Sequence, residues 1–121
     1  MRFFLRGRRT IRLTYAIKYV GDMDRAIAFY RDKLGLELKF ESPFWSEFAT
    51  GETVLALHPA SEANAAGSVE LGFAVDDLGE FYERRAELGI EFTREPKEMH
   101  GIHIAGISDA DGAHVSVSGP V

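Results

Sequence analysis

The chain has no cysteine, a single tryptophan and four prolines in 121 residues. Without cysteine, disulfides, zinc–thiolate centres and thiol nucleophiles are excluded, and the composition fits a reducing cytoplasm. No apolar run approaches the ~20 residues that span a bilayer as a helix, so no membrane partner is expected. The basic residues are concentrated at the start of the chain. Residues 1–12 carry Arg2, Arg6, Arg8, Arg9 and Arg12 and no Asp or Glu. The remainder then holds nine basic against 19 acidic groups, a formal net charge of −10. Such a body repels a phosphate backbone, and nucleic acid is not an expected partner. Residues 1–11 read as a basic, disordered extension, and no apolar segment follows the arginines as a secretory leader would require. A Ser-His-Asp order, a phosphate loop and an HExxH element are also absent, which removes the commonest signatures of hydrolase and nucleotide chemistry.

What the chain does have is a repeat. Asp22-Met23, a helical stretch and Leu34-Gly35-Leu36-Glu37 return as Asp76-Asp77, a helical stretch of equal length and Leu88-Gly89-Ile90-Glu91, 54 residues later. Each copy follows an apolar run, Tyr15–Val20 or Val69–Val75, and precedes three short strand-like runs. Repetition at a fixed offset marks a duplicated supersecondary unit.

The first unit opens on Leu13–Val20, where Leu13, Tyr15, Ile17 and Tyr19 alternate as a strand requires. Asp22 is the expected N-cap of a helix whose apolar stripe is Met23, Ala26, Ile27, Tyr30 and Leu34, with Gly35 as its stop. Strands are predicted at Leu36–Phe40, Trp45–Ala49 and Thr53–His58, the last two joined by Thr50-Gly51-Glu52. Pro59–Ser68 has no periodicity and reads as a linker. The second unit repeats the order. It has a strand at Val69–Val75 and a helix capped by Asp77 and Glu80 with apolar Leu78, Phe81, Tyr82 and Leu88. Strands follow at Ile90–Thr93, Ile102–Ile107 and His114–Ser118, with a turn at Asp109-Ala110-Asp111-Gly112. The expected fold class is α+β. Tandem βαβββ modules form a curved mixed sheet with a central cavity, in one domain over residues 12–121 (module one 12–60, linker 59–68, module two 69–119). One helix covers one face of each module, and the other face is left as an apolar trough that suits a small molecule.

This arrangement resembles the vicinal oxygen chelate superfamily, which holds glyoxalase I, extradiol dioxygenases, fosfomycin resistance enzymes and bleomycin resistance proteins. Val20-Gly21-Asp22, Phe29-Tyr30 and Leu34-Gly35-Leu36 carry the likeness in module one. Val75-Asp76-Asp77, Leu88-Gly89-Ile90 and Asp109-Ala110-Asp111-Gly112 carry it in module two, the last standing where the family commonly has Asp-Pro-Asp-Gly. The resemblance implies a homodimer and a metal held from the first and last strands of each module, usually by His, Gln or Glu. Those positions fall on Tyr15, Ala56, Glu70 and Ser116. Only Glu70 is a good divalent-metal ligand, because alanine has no donor and neutral Tyr and Ser bind poorly.

Several polar and aromatic side chains lie near the missing ligand positions. His58 lies two residues after Ala56 and His114 two before Ser116, so strand alternation puts each on the face of a lost ligand. With Glu70 they would make a displaced two-histidine, one-carboxylate site for Ni, Zn, Mn or Fe. Alternatively both histidines are polar trough residues. His103 starts the penultimate strand and is within reach of the cleft. Trp45 offers a rigid ring for stacking, with Phe44 and Phe48 beside it. Its alternation with Phe44 and Ser46 is taken to place it with Glu47 only through a bulge. The expected ligand-binding set is therefore Tyr15, Trp45, His58, Glu70, His103, His114 and Ser116. The favoured function is a bleomycin-resistance-like binder of an apolar or planar compound with no cofactor, its acidic body suiting a cation. The alternatives are a divalent-metal-dependent lyase or dioxygenase using Glu70 with His58 or His114, and a protein-interaction module with a vestigial cavity.

Overall fold

The computed structural model describes residues 11–121. Apart from Ile11, the extension read over residues 1–11 lies outside the described residues. Ile11 itself corrects that boundary, because the first strand, β1, runs Ile11–Val20. Helix α1 (Met23–Ala28) follows, then a wider π-type turn over Phe29–Lys33, and strands β2 (Glu37–Phe40), β3 (Ser46–Ala49) and β4 (Val54–Pro59). Strand β5 (Val69–Val75), helices α2 (Leu78–Glu83) and α3 (Arg85–Leu88), and strands β6 (Glu91–Met99), β7 (Ile102–Ser108) and β8 (His114–Ser118) complete the chain. The duplicated order of strand, helix and three strands is present in both halves, and the fold is α+β.

The residues divide into two compact units, Thr14–Leu71 and Gly72–Val121, the latter with the first residues of β1. In the Thr14–Leu71 unit the strands lie in the order β2-β3-β4-β1. The β1–β4 pair is parallel, and β2–β3 and β3–β4 are antiparallel. The Asp22 carboxylate accepts the Arg25 amide at 3.0 Å and starts α1 as expected. Val20, Ile27, Phe48 and Leu57 form the buried core beneath it, with Met23, Ala26, Tyr30 and Leu36 packed around them. The predicted stripe fails at its end: Leu34 is 55% exposed. The Leu34 amide donates to the Phe29 carbonyl, five residues back, so the widened turn rotates Leu34 off the apolar face.

The Gly72–Val121 unit has the strand order β5-β8-β7-β6, with β5–β8 parallel and the other pairs antiparallel. Asp77 caps α2 by accepting the Glu80 amide at 2.9 Å. Val75, Leu78, Ala105 and Val117 make its core, joined by Phe81, Phe92 and Ile107. The single helix expected here breaks at Arg84 (φ −89°, ψ 10°) into α2 and α3, and Leu88 is left 38% exposed. Gly35 and Gly89 occupy equivalent helix ends at φ 74° and 69°. That left-handed conformation is where glycine alone carries no Cβ penalty, and it explains why the repeat preserves them.

One strand is far longer than its sequence pattern. β6 continues past Thr93 to Met99 through two register shifts against β7, between Phe92 and Arg94 and between Arg94 and Lys97. Pro96, which has no N–H to give the ladder, falls in the second of them.

Candidate functional site

Strand alternation sorts the Thr14–Leu71 unit into two faces. Val20, Phe48, Leu55 and Leu57 point at α1. The opposite face gathers Tyr15, Ile17, Tyr19, Ala56, Trp45 and Ala60. Register fixes their neighbours: Ile17 pairs with Ala56, Tyr19 with His58, and Glu47 with Ala56. This face is a small floor, the fully buried Ala56, inside a ring of aromatic and carboxylate side chains.

Glu47 organises one side of it. Its Oε2 accepts the Trp45 indole N–H at 2.7 Å and the Tyr15 hydroxyl at 3.4 Å. Trp45 and Glu47 stand two residues apart and share this face by simple alternation, so the expectation that a bulge is needed is corrected. Both neutral donors reach the same oxygen, and Oε1 has no hydrogen-bond partner among the described residues. The Tyr15 and Trp45 ring centres are 6.0 Å apart. Burial, then the Glu47 charge and its hydrogen bond, hold the Tyr15 hydroxyl above an ordinary phenol.

The loop before β3 holds Trp45 by its backbone. The Ser42 hydroxyl accepts the Trp45 amide at 3.0 Å and donates to the Trp45 carbonyl at 2.8 Å. The fully buried Ser46 hydroxyl donates to the Ser42 carbonyl at 3.2 Å. Phe44, beside Trp45, is 75% exposed, whereas Phe48 is completely buried under α1. The two phenylalanines grouped with Trp45 in the sequence therefore part company, and neither lies on the aromatic face.

The other side is built by Tyr19 and Glu70. Tyr19 is 7% exposed, and its hydroxyl donates to Glu70 Oε1 at 2.7 Å. Sequence reasoning singled out Glu70 as a carboxylate in need of a partner, but it assigned Tyr19 only to the strand pattern. The signal was available, since Tyr19 lies at the same phase of β1 as Tyr15. Burial first, then the hydrogen bond to Glu70 and its charge, push the Tyr19 hydroxyl well above the usual phenol range. The His58 ring meets Tyr19 edge-on at 5.4 Å and Trp45 at 6.2 Å. Its Nδ1 lies 2.8 Å from the Pro59 carbonyl. A carbonyl can only accept, so in the neutral ring Nδ1 carries the proton and the exposed Nε2 is an acceptor.

The raised Tyr19 pKa has a measurable consequence. The folded chain holds that proton more tightly than the unfolded chain does. The resulting stability is fully present below about pH 10, the unfolded tyrosine value, and is lost as pH rises through the folded value. Denaturant midpoints measured from neutral to strongly alkaline pH should fall less steeply in Tyr19→Phe than in the parent. Parallel curves would contradict the Tyr19–Glu70 bond.

In the other unit, Ser116 pairs with Gly72 on one side and Gly106 on the other. His114 shares its side of β8 by alternation, with its ring over Gly106. A Cβ built on Gly106 would come 2.5 Å from His114 Cε1 and 2.9 Å from Thr93 Oγ1. Alternation places His103 instead with Ala105 and Ile107, the side packed against α2. The expectation that His103 reaches the cleft side is corrected by that phase.

The four positions that the family resemblance assigns to a metal do not suit one. Ala56 offers no donor. The Tyr15 hydroxyl is directed to Glu47 and Glu70 accepts from Tyr19. Among the described residues no group of three or more His, Asp or Glu side chains is placed to hold a metal ion. No helix among the described residues is long and apolar enough to cross a membrane.

Known proteins agree with this architecture. The chain is 30% identical over 116 residues to the uncharacterized protein YurT of Bacillus subtilis (strain 168), covering 82% of this chain and 91% of that one. A hypothetical protein of Bacillus halodurans C-125 superposes with a TM-score of 0.77 at 15% identity, covering 93% of this chain and 96% of that one. Methylmalonyl-CoA epimerase from Mycobacterium tuberculosis superposes with a TM-score of 0.73 at 22% identity, over 90% of this chain and 87% of the other. At these identities the two superpositions speak for the fold alone. The sequence profile of one family matches residues 12–117, nearly the whole described chain. By that match and by the repeated βαβββ order, the chain belongs to the Glyoxalase/Bleomycin resistance protein/Dioxygenase superfamily.

Proposed function

We propose that this chain binds a planar, cationic small molecule on the aromatic face of its Thr14–Leu71 unit, without metal chemistry of the glyoxalase or dioxygenase kind. The observation that carries the reading is Glu47. It is half-buried beside the rings of Tyr15 and Trp45, receives two neutral donors on one oxygen, and has no partner for the other among the described residues. A carboxylate in low-dielectric surroundings gains most from a cationic partner. The adjoining rings give a flat ligand a large contact at small entropic cost. Ala56, where the family resemblance expects a metal ligand, supplies floor space rather than a donor. His58 Nε2 would accept a ligand N–H at the opposite edge.

Trp45 is the only tryptophan in the chain, so its emission reports on this face. Titration with proflavine, a planar cation, should quench that emission saturably at one site per chain. A planar sulfonate of similar size should not displace the bound proflavine. Quenching that never saturates, or proflavine that the sulfonate displaces, would contradict the reading.

A further inference from the structure

The opposite side of the same unit carries a second groove. About 590 Å³ in volume, it runs beside α1 and lies within the range of small-molecule sites. Val20 and Ala26 form its apolar floor, and the rings of Phe29 and Tyr30 stand against each other at 85° with centres 5.2 Å apart. Phe29 is 45% exposed and lies outside the core beneath α1.

Its polar groups are biased toward donation. The Arg25 guanidinium has no carboxylate or carbonyl partner among the described residues, and the Tyr30 hydroxyl has none either. Lys18 lines the groove and donates to the Gly67 carbonyl at 2.9 Å. The one carboxylate lining the groove, Asp22, has Oδ1 engaged in capping the Arg25 amide. Two cationic side chains and the Tyr30 phenol thus line one groove with the Phe29 ring, in a chain whose formal net charge is −5.

We infer that this groove binds a planar anion, an aromatic carboxylate or sulfonate, with its ring on Phe29 and its charge between Arg25 and Lys18. Tyr19 borders both this groove and the aromatic face, but Trp45 and Glu47 are not among the residues that line the groove. Anilinonaphthalenesulfonate is the probe, followed by its own emission with the full chain at low salt. Arg25→Gln should weaken binding about threefold to fivefold, as for an exposed charge contact. Phe29→Ala should weaken it about fivefold to tenfold through lost ring contact. Trp45→Leu should leave it unchanged, and added salt should weaken the parent more than Arg25→Gln, which keeps only the Lys18 charge. Both altered side chains are largely exposed, and far-ultraviolet dichroism verifies that the variants fold. The assignment is overturned if the parent does not bind, if Arg25→Gln binds as tightly as the parent, or if Trp45→Leu abolishes binding.

Discussion

Phe48→Ala should lower the stability of the chain by about 3–5 kcal/mol, enough to unfold a marginal small domain at ordinary temperature. Phe48 is fully buried, packs among Val20, Ile27 and Leu57, and meets the Tyr30 ring at 5.8 Å. Truncation would open a cavity between β3 and α1 that the branched neighbours are too rigid to fill. Phe44→Ala, four residues earlier but 75% exposed, should change stability by less than about 0.5 kcal/mol. Urea unfolding of both variants measures the contrast. Equal effects would mean that β3 turns its other face to the helix, which would also remove Trp45 and Glu47 from the aromatic face.

Much of this arrangement was legible in the residues because it rests on local chemistry. Asp22 and Asp77 cap helices, Gly35 and Gly89 end them, and the 54-residue offset repeats the unit. Period-two alternation then put Tyr15 and Ile17 on one face without any tertiary information. The misreadings arise where a non-local partner decides. β6 extends through polar Arg94 to Met99 because β7 offers it a ladder, and no apolar alternation in Arg94-Glu95-Pro96-Lys97-Glu98 announces this. The π-type turn at Phe29–Lys33 depends on a carbonyl five residues back, which moves Leu34 out of a stripe that its spacing had placed inside. Tyr19 was read as one more strand residue because its importance comes from Glu70, 51 positions away. Glu47 was passed over for a simpler reason: acids on short strands usually face solvent, and only the Trp45 indole and Tyr15 hydroxyl show that this one does not.

Glu47→Gln should weaken proflavine binding about tenfold while leaving acridine, the neutral ring of the same skeleton, bound as in the parent. The substitution is nearly isosteric, and the amide oxygen still accepts the indole N–H and the tyrosine hydroxyl, so the Trp45 and Tyr15 rings hold their places. What is removed is the charge on a half-buried group whose second oxygen meets no donor among the described residues. A charge-assisted hydrogen bond to a ligand cation becomes a neutral one, a difference of about 1–2 kcal/mol. Trp45→Leu should behave differently and weaken both ligands alike, because stacking is indifferent to charge. Calorimetric titration of the three proteins with the two ligands separates these contributions. If Glu47→Gln binds proflavine normally, Glu47 serves only to orient Trp45 and Tyr15, and the face selects flatness rather than charge. If the variant loses cation and neutral ring equally, the carboxylate acts through ring position, and the choice between ligands falls to Glu70 and His58.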